Sequence, residues 1–169
     1  MPVSAVYLSR RSLLLGSIAG VFGSSWWPRP VLAASKAADA TWDLTAEQWR
    51  QRLSTEAYDV LRNEGTERPF TSSLNAEKRS GTYHCAGCDQ PLFSSEAKFD
   101  SGTGWPSFWQ PLQGAIATKV DFKLIIPRTE YHCSRCGGHQ GHVFNDGPRP
   151  TGKRYCNNGV ALVLSLIHI

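Results

Sequence analysis

Hydrophobic and polar positions follow one period before Lys78 and another after it. Before Lys78, apolar residues recur at the three- and four-residue spacing of one helix face: Trp49, Leu53, Ala57, Val60 and Leu61. Thr45–Gln48 reads as a capping box, and Gly65 is a stop signal. The pattern predicts one amphipathic helix over about residues 46–64. Arg62, Thr66, Glu67 and Phe70 could brace the functional side of the domain, but a plain packing role is favoured.

From Lys78 onward, short runs rich in aromatic and β-branched residues are separated by Gly, Pro, Asn and Asp. This composition is typical of antiparallel strands joined by tight turns. The runs are residues 82–83, 92–93, 116–120, 123–126, 129–131, 142–144 and 160–162. No second domain boundary interrupts them, so we expect one mainly β domain with an N-terminal helix over residues 42–163.

The start of the chain has the organisation of an export signal. A twin arginine, Arg10-Arg11, precedes a modest apolar run, Leu13–Phe22, and Val31–Ala33 is a small-residue cleavage pattern. A transmembrane anchor is the alternative, but the run is far shorter than the ~20 apolar residues that span a bilayer. We expect a twin-arginine signal peptide over residues 1–33, a flexible lead-in over 34–41, and a periplasmic protein that meets the membrane only during export.

The net charge of the 169-residue chain is +4, which invites a nucleic-acid interpretation. Three arginines, Arg10, Arg11 and Arg29, lie in the first 33 residues, which contain no Asp or Glu. The remaining residues therefore carry 4 − 3 = +1. A nearly neutral domain has no electrostatic footprint for nucleic acid, and we expect no such partner.

Two Cys-x-x-Cys units, Cys85–Cys88 and Cys133–Cys136, are the strongest metal signal in the chain. Two such turns complete a tetrahedral thiolate set, which we interpret as one structural zinc ion bound by Cys85, Cys88, Cys133 and Cys136. A closed four-sulfur set leaves no position for substrate. Two disulfides are an alternative because exported proteins carry them, and a thioredoxin-like redox motif is another, although it does not require a duplicate.

The fifth cysteine, Cys156, is either a buried apolar residue or a reactive thiol. Its neighbours favour the reactive thiol, because the charge of Arg154, the amide of Asn158 and the rings of His139 and His142 favour a thiolate or assist proton transfer. The two histidines could instead bind zinc or pack in the core, but four cysteines already complete the metal set.

A glycine-rich loop holds Trp105 between Gly104 and Pro106. A flat indole in this rigid setting suits a pocket wall, and its face is a good receptor for a methyl group on sulfur. We assign Trp105 and the nearby Phe108 to substrate binding, whereas Trp109 is expected in the core.

Further motifs run through most of the chain: Arg62, residues 65–70, 83–88, 92–95, 98–108, 128–130, 133–148 and 150–156, and Asn158. With them, the segment from about Trp42 to Leu162 resembles the B-type peptide-methionine (R)-S-oxide reductases. The resemblance implies two small antiparallel sheets in a β-tent arrangement, with zinc at the edge opposite the catalytic pocket. It also implies thiol-dependent repair of oxidised proteins or peptides, with free methionine sulfoxide as a further substrate, by a monomer without an organic cofactor.

The same resemblance implies that Cys156 attacks the sulfoxide sulfur and becomes a sulfenic acid, which a thioredoxin-like donor reduces. The other implied roles are proton donation by His142 with His139 close by, orientation of the sulfoxide by Asn158 and Arg154, and packing on the methyl group by Trp105. A zinc module that only binds proteins or nucleic acid is the competing hypothesis. Such a module has no use for a thiol in this setting.

Three features depart from the family pattern. Thr103 stands where many members carry a resolving cysteine, so recycling is expected to need an external thiol. Gln140 and Gly159 replace the expected Leu and Ser, which we interpret as variation. Residues 164–169 look like a translated sequencing adapter, so we expect the native C-terminal strand to be missing and His168 to have no function.

Overall fold

The computed structural model describes residues 42–123 and 126–167 as a mainly β protein with two short helices. The predicted export signal over residues 1–33 and the lead-in over 34–41 lie outside the described residues, as does His168. Within the described part of the chain, no helix is both long enough and apolar enough to cross a membrane.

Two helices, α1 (Ala46–Arg52) and α2 (Thr55–Asn63), replace the single predicted helix. The break falls at Leu53 and Ser54: the extended backbone of Leu53 (φ −112°, ψ 153°) ends the first helix, and the Ser54 side chain caps the second. Thr45 forms the predicted capping box with Gln48. The predicted apolar face is largely buried, through Trp49, Ala57, Val60 and Leu61.

Among the described residues, nine strands form two antiparallel sheets, as the resemblance implied. They are β1 (Gly81–Cys85), β2 (Pro91–Ser94), β3 (Lys98–Phe99), β4 (Ser107–Phe108), β5 (Ile116–Asp121), β6 (Arg128–Cys133), β7 (His139–Phe144), β8 (Arg154–Asn157) and β9 (Leu162–Leu166). The smaller sheet has the order β2-β1-β9, and the larger has the order β3-β4-β8-β7-β6-β5.

The last strand continues beyond the predicted domain boundary at residue 163. In β9, Leu164 lies opposite Tyr83 of β1, and Leu166 lies opposite Gly81. Residues 164–166 therefore belong to the smaller sheet, whereas the adapter origin of residues 164–169 stays a prediction. Their alternating burial explains the pairing, since Leu164 packs against the core while Val163 is exposed.

Aromatic contacts join the two sheets. Phe93 of the smaller sheet stacks on Phe108 of the larger one at 4.2 Å between ring centroids, and Tyr83 meets Phe108 edge to face at 5.0 Å. These rings and Tyr131 are fully buried. Replacing such a residue with alanine typically costs about 3–5 kcal/mol of stability. The smaller sheet thus packs against the larger sheet and stabilises it. Strands β7 and β8 of the larger sheet contain the residues of the candidate site.

Candidate active site

Strand pairing places Cys156 beside the predicted proton donor. Cys156 of β8 lies directly opposite His142 of β7 on one side and Ser107 of β4 on the other. Directly opposite residues of antiparallel strands project from the same face, with Cβ atoms ~4.5–5.5 Å apart. Gly141 allows this approach, because a Cβ at that position would overlap the carbonyl oxygen of Cys156.

A small cavity of about 110 Å³ opens beside Cys156. Trp105 and Phe144 supply apolar walls, and polar groups come from Thr66, Arg128, His142 and Asn158. An apolar wall facing convergent polar groups suits a ligand that combines a methyl group with a polar oxygen. Trp105 and Asn158 therefore lie where the sequence predicted them. Arg128 had no predicted role in the site, and Thr66 had only the less favoured role of bracing it.

Glu67 connects the two predicted substrate contacts. Its carbonyl oxygen accepts a hydrogen bond from Trp105 Nε1 (3.1 Å), and its backbone N–H donates to Asn158 Oδ1 (3.0 Å). Its carboxylate accepts from the backbone N–H groups of Gly159 (2.7 Å) and Val160 (3.0 Å). Sequence reasoning favoured a packing role for Glu67 over bracing of the active side. Its position just after a helix carries no local signal for these contacts, whose partners are 38 to 93 residues away in the sequence.

Asn158 is rigidly placed in the cavity wall. Its Oδ1 accepts the bond from Glu67, while its Nδ2 donates to the carbonyl oxygen of Gln140 (3.0 Å). An amide nitrogen carries two hydrogens. One hydrogen thus remains for a ligand oxygen, which is compatible with the predicted orienting role.

Asp121 orients His142. Its Oδ2 lies 2.8 Å from His142 Nε2 and 2.6 Å from an Arg128 nitrogen, and its Oδ1 accepts from the backbone N–H of Lys123 (2.8 Å). The bond to Lys123 and the one to His142 hold the pKa of Asp121 well below its usual range. A carboxylate on Nε2 keeps the proton there, so a neutral His142 ring has Nδ1 as an acceptor. Nothing in the local sequence singled out Asp121.

Burial lowers the pKa of His142, and the hydrogen bond to Asp121 only partly opposes that effect. His142 is therefore neutral near pH 7, since its ordinary pKa of about 6.5 is already below that value. This state leaves His142 able to accept a proton within the cavity before it donates one.

Burial also raises the pKa of the Cys156 thiol, against the positive charge of Arg154 and a hydrogen bond from Thr103. Arg154 therefore favours the thiolate, as the sequence predicted, but desolvation outweighs it and the net shift of the Cys156 pKa is upward. Arg154 is itself engaged by Asp146 through two hydrogen bonds (2.9 and 2.8 Å) and lies 4.3 Å from the centroid of the Phe144 ring.

Three predicted site residues, Phe108, His139 and Arg154, do not line the cavity. Phe108 is fully buried and stacks on Phe93, so the structure corrects its assignment to substrate binding and places it in the core. His139 is also buried, and its Nδ1 lies 2.9 Å from Glu130 Oε1. Its ring meets that of His142 edge to face at 5.5 Å between centroids. His139 reaches the cavity only through His142.

The four cysteines of the two knuckles meet in one buried cluster, with all Sγ atoms within 4.8 Å of one another. Sγ of Cys85 lies 3.7 Å from that of Cys136, and Sγ of Cys88 lies 3.5 Å from that of Cys133. A disulfide needs about 2.05 Å, so the cysteines are free thiols in this arrangement. Tetrahedral bonds of about 2.3 Å to one zinc ion would separate the sulfurs by about 3.8 Å. The cluster therefore fits a four-coordinate metal ion.

The surroundings of the cluster also suit a metal. Gln140 Nε2 donates a hydrogen bond to Cys85 Sγ (3.3 Å), and Gln140 is fully buried. A divalent ion with four thiolates carries a net charge of −2, which nearby positive charge stabilises. Arginines bind the backbone carbonyls of both knuckles: Arg52 to Gly87 (2.9 Å), Arg62 to Cys136 (3.0 Å) and Arg135 to Cys88 (3.1 Å).

Comparison with known proteins gives consistent matches over the domain described above. The sequence model of the SelR domain matches residues 53–166. Peptide methionine sulfoxide reductase B1, chloroplastic, of Arabidopsis thaliana is 45% identical over 161 residues, which cover 95% of this chain and 80% of the relative. The SelR match extends past residue 163, in agreement with the extent of β9.

Two further relatives agree. Peptide methionine sulfoxide reductase MsrB of Pseudomonas putida is 55% identical over 121 residues, which cover 71% of this chain and 91% of the relative. Peptide methionine sulfoxide reductase B1, chloroplastic, of rice (Oryza sativa subsp. japonica) is 54% identical over 122 residues, or 72% of this chain. The matched segment spans 57% of the length of the rice protein.

Proposed function

This chain belongs to the B-type peptide-methionine (R)-S-oxide reductases, the oxidoreductase family that carries the SelR domain, and from that membership we propose the course of its reaction. The substrate is methionine-R-sulfoxide in oxidised proteins, with free methionine sulfoxide as a secondary substrate. The cross-strand pairing of Cys156 with His142 at the cavity carries the proposal. It puts a thiol and a proton carrier on the same face of adjacent strands.

The reaction begins with two neutral groups. The Cys156 thiol has a raised pKa and His142 a lowered one, so the thiol keeps its proton until substrate arrives. His142 Nδ1 then takes the thiol proton, and Asp121 at Nε2 stabilises the imidazolium that forms. Arg154 supplies positive charge beside the new thiolate.

The thiolate attacks the sulfoxide sulfur while the His142 imidazolium protonates the sulfoxide oxygen. The oxygen leaves the methionine sulfur and ends as the hydroxyl of a Cys156 sulfenic acid. Methionine sulfur gains two electrons and Cys156 sulfur loses two, so the step balances. Trp105 packs against the methyl group, and Asn158 donates its remaining amide hydrogen to the oxygen. Handedness at sulfur follows from the side on which Trp105 holds the methyl group.

Recycling needs thiols from outside the chain. A first thiol attacks the sulfenic sulfur of Cys156, which releases water and leaves a mixed disulfide, and a second thiol then frees Cys156. Thr103 lies within hydrogen-bonding reach of Cys156 but offers a hydroxyl rather than a thiol. The other cysteines belong to the buried cluster. A thioredoxin-like protein is the donor that we propose.

Zinc is the ion that we propose for the four-cysteine cluster, because a buried, tetrahedral four-sulfur set favours it. Cys85, Cys88, Cys133 and Cys136 would bind one ion per chain with no open position. Its role is to join the two knuckles and stabilise the fold.

Turnover of a methionine-R-sulfoxide peptide with dithiothreitol tests the proposal. We expect wild-type protein to reduce it, Cys156→Ser to be inactive, and Ser134→Ala, an exposed-site control in a knuckle turn, to behave as wild type. Equal activity of wild type and Cys156→Ser would refute the nucleophile and favour a binding module. One equivalent of sulfoxide without reductant should leave a dimedone adduct on Cys156.

Export and assembly are proposed from the sequence. Residues 1–33 direct the protein to the periplasm by the twin-arginine route, where it acts as a monomer. Two relatives carry the word chloroplastic in their names, which describes those proteins. Fusion of residues 1–41 to a reporter should export it from a bacterial cytoplasm, and Arg10→Lys with Arg11→Lys should block that export. Export by the double variant would contradict the assignment.

A further inference from the structure

A second cavity, of about 260 Å³, shares the Trp105 wall with the active-site cavity. Its lining is mainly apolar: Phe70, Ala76, Phe99, Trp105 and Pro106. Pro106 also connects this cavity to β8, the strand that contains Cys156, because the Pro106 carbonyl oxygen accepts a hydrogen bond from the N–H of Asn157 (2.9 Å). The reaction proposed above uses none of this surface except Trp105.

Phe70 stands at the rim of this cavity in a fixed and unusual conformation. Its φ is +65°, which is uncommon for a bulky residue, and its side chain is 73% exposed. Its N–H donates to the carbonyl oxygen of Gly104 (2.7 Å), which also accepts from Asn75 Nδ2 (2.9 Å). A Cβ at Gly104 would lie 2.8 Å from Pro69, so the loop that contains Gly104 and the segment that contains Pro69 and Phe70 are in close contact. The backbone of Phe70 is therefore held in place before any ligand arrives, and it presents the exposed ring at the rim of the cavity.

We propose that this second cavity binds an apolar side chain adjacent to the methionine sulfoxide in the substrate polypeptide. The inference rests on the proposed function. A methionine within a protein is continuous with chain on both sides, and an extended chain advances ~3.3 Å per residue. With the sulfoxide against one part of the Trp105 wall, a neighbouring residue reaches the second cavity.

The chemistry of the lining favours one class of flanking residue. Aromatic and proline surfaces bind apolar side chains, whereas the Asp100 carboxylate in the same lining disfavours an acidic one. Methionines in proteins are commonly buried among apolar neighbours. An oxidised, partly unfolded segment therefore offers the residues that this cavity accepts.

Kinetics of three substrates test the inference: N-acetyl-methionine-R-sulfoxide and two blocked peptides whose sulfoxide is flanked by Phe or by Asp. Wild-type protein should show a kcat/KM about five- to tenfold higher for the Phe-flanked peptide than for the Asp-flanked one, through KM, as partial burial of one aromatic side chain implies. If N-acetyl-methionine-R-sulfoxide is not reduced, the proposed function fails. If it is reduced and the two peptides are equal, only this inference fails.

Variants at two lining positions locate the subsite. Phe70→Ala and Ala76→Asp should each lower the ratio of Phe-peptide to N-acetyl substrate kcat/KM about fivefold or more. The ratio within one variant cancels general damage to the active site. Val163→Ala, an exposed position in β9, and Phe122→Ala, which matches Phe70 in type and exposure (74%), are the controls. A change of this ratio in Phe122→Ala but not in Phe70→Ala would place the substrate elsewhere and overturn the inference.

Discussion

Replacement of Glu67 by Gln tests whether one carboxylate holds the substrate walls in position. The carboxylate accepts two backbone hydrogen bonds, from Gly159 and Val160, in the turn that follows β8. The same residue contacts Trp105 and Asn158 through its backbone. The Gln side chain has nearly the same shape but only one acceptor atom. Its NH2 group must therefore face one of the two N–H donors.

The size of the effect follows from these bonds. A hydrogen bond to a charged group contributes about 1.5–3 kcal/mol and a neutral one about 0.5–1.5 kcal/mol. Glu67→Gln removes one charged bond and converts the other to a neutral one. We expect the free energy of unfolding to fall by about 2–4 kcal/mol. Displacement of Trp105 and Asn158 by about 1 Å should lower kcat/KM by one to two orders of magnitude.

Urea unfolding and sulfoxide turnover of Glu67→Gln provide the measurements, with Glu56→Gln as the matched control. Glu56 is exposed in α2 and has no side-chain hydrogen bond among the described residues, so its loss should change the unfolding free energy by less than about 1 kcal/mol. Wild-type stability and kcat/KM in Glu67→Gln would refute the reasoning. Lost stability with unchanged kcat/KM would show that the turn does not position the substrate walls.

Three further results are expected. Cys133→Ser should lose the bound metal and unfold, because structural zinc sites supply about 10–16 kcal/mol of folding free energy. Metal analysis and circular dichroism measure this, and a variant that is folded without metal would contradict the prediction. The pH dependence of the rate of Cys156 alkylation by iodoacetamide should have its midpoint above the ordinary thiol pKa of ~8.5, because burial raises the pKa. Arg154→Met should raise that midpoint further, and a midpoint below about pH 8 would contradict the burial argument. Asp121→Asn should lower kcat about tenfold, because Asp121 stabilises the protonated form of His142. Loss of that stabilisation lowers the pKa of His142, so the acid limb of the plot of kcat/KM against pH should move to lower pH. An acid limb that does not move would exclude this role of Asp121.

Local patterns carried much of the fold. The capping box at Thr45, the apolar face of the helical region and the two cysteine knuckles each depend on residues within a few positions of one another, and all appear in the structure. The break at Ser54 was missed because apolar periodicity runs through it from α1 into α2. Both helices bury the same face, so the period alone does not reveal that the axis changes.

Long-range contacts explain the remaining errors. Phe108 and Trp105 share one loop motif, yet strand β4 turns Phe108 into the core while Trp105 faces the cavity. Asp121 and Glu67 act through partners that only the folded chain brings near. The Gly159 departure has a steric reason, since a Cβ there would overlap the side chain of Ser72. None of these relations has a signature at short sequence separation.

The Gln140 departure links the metal cluster to the active-site wall. Its side chain donates to Cys85 Sγ, while its carbonyl oxygen accepts from both the backbone N–H (2.9 Å) and the side chain of Asn158 (3.0 Å). A Leu at this position would keep the backbone bonds to Asn158 and lose the bond to sulfur. The cysteine cluster and the active-site cavity are therefore connected by strand β7, which contains both Gln140 and His142. Because a closed four-sulfur set has no free coordination position, an ion bound there would affect the reaction by fixing this strand rather than by contacting the substrate.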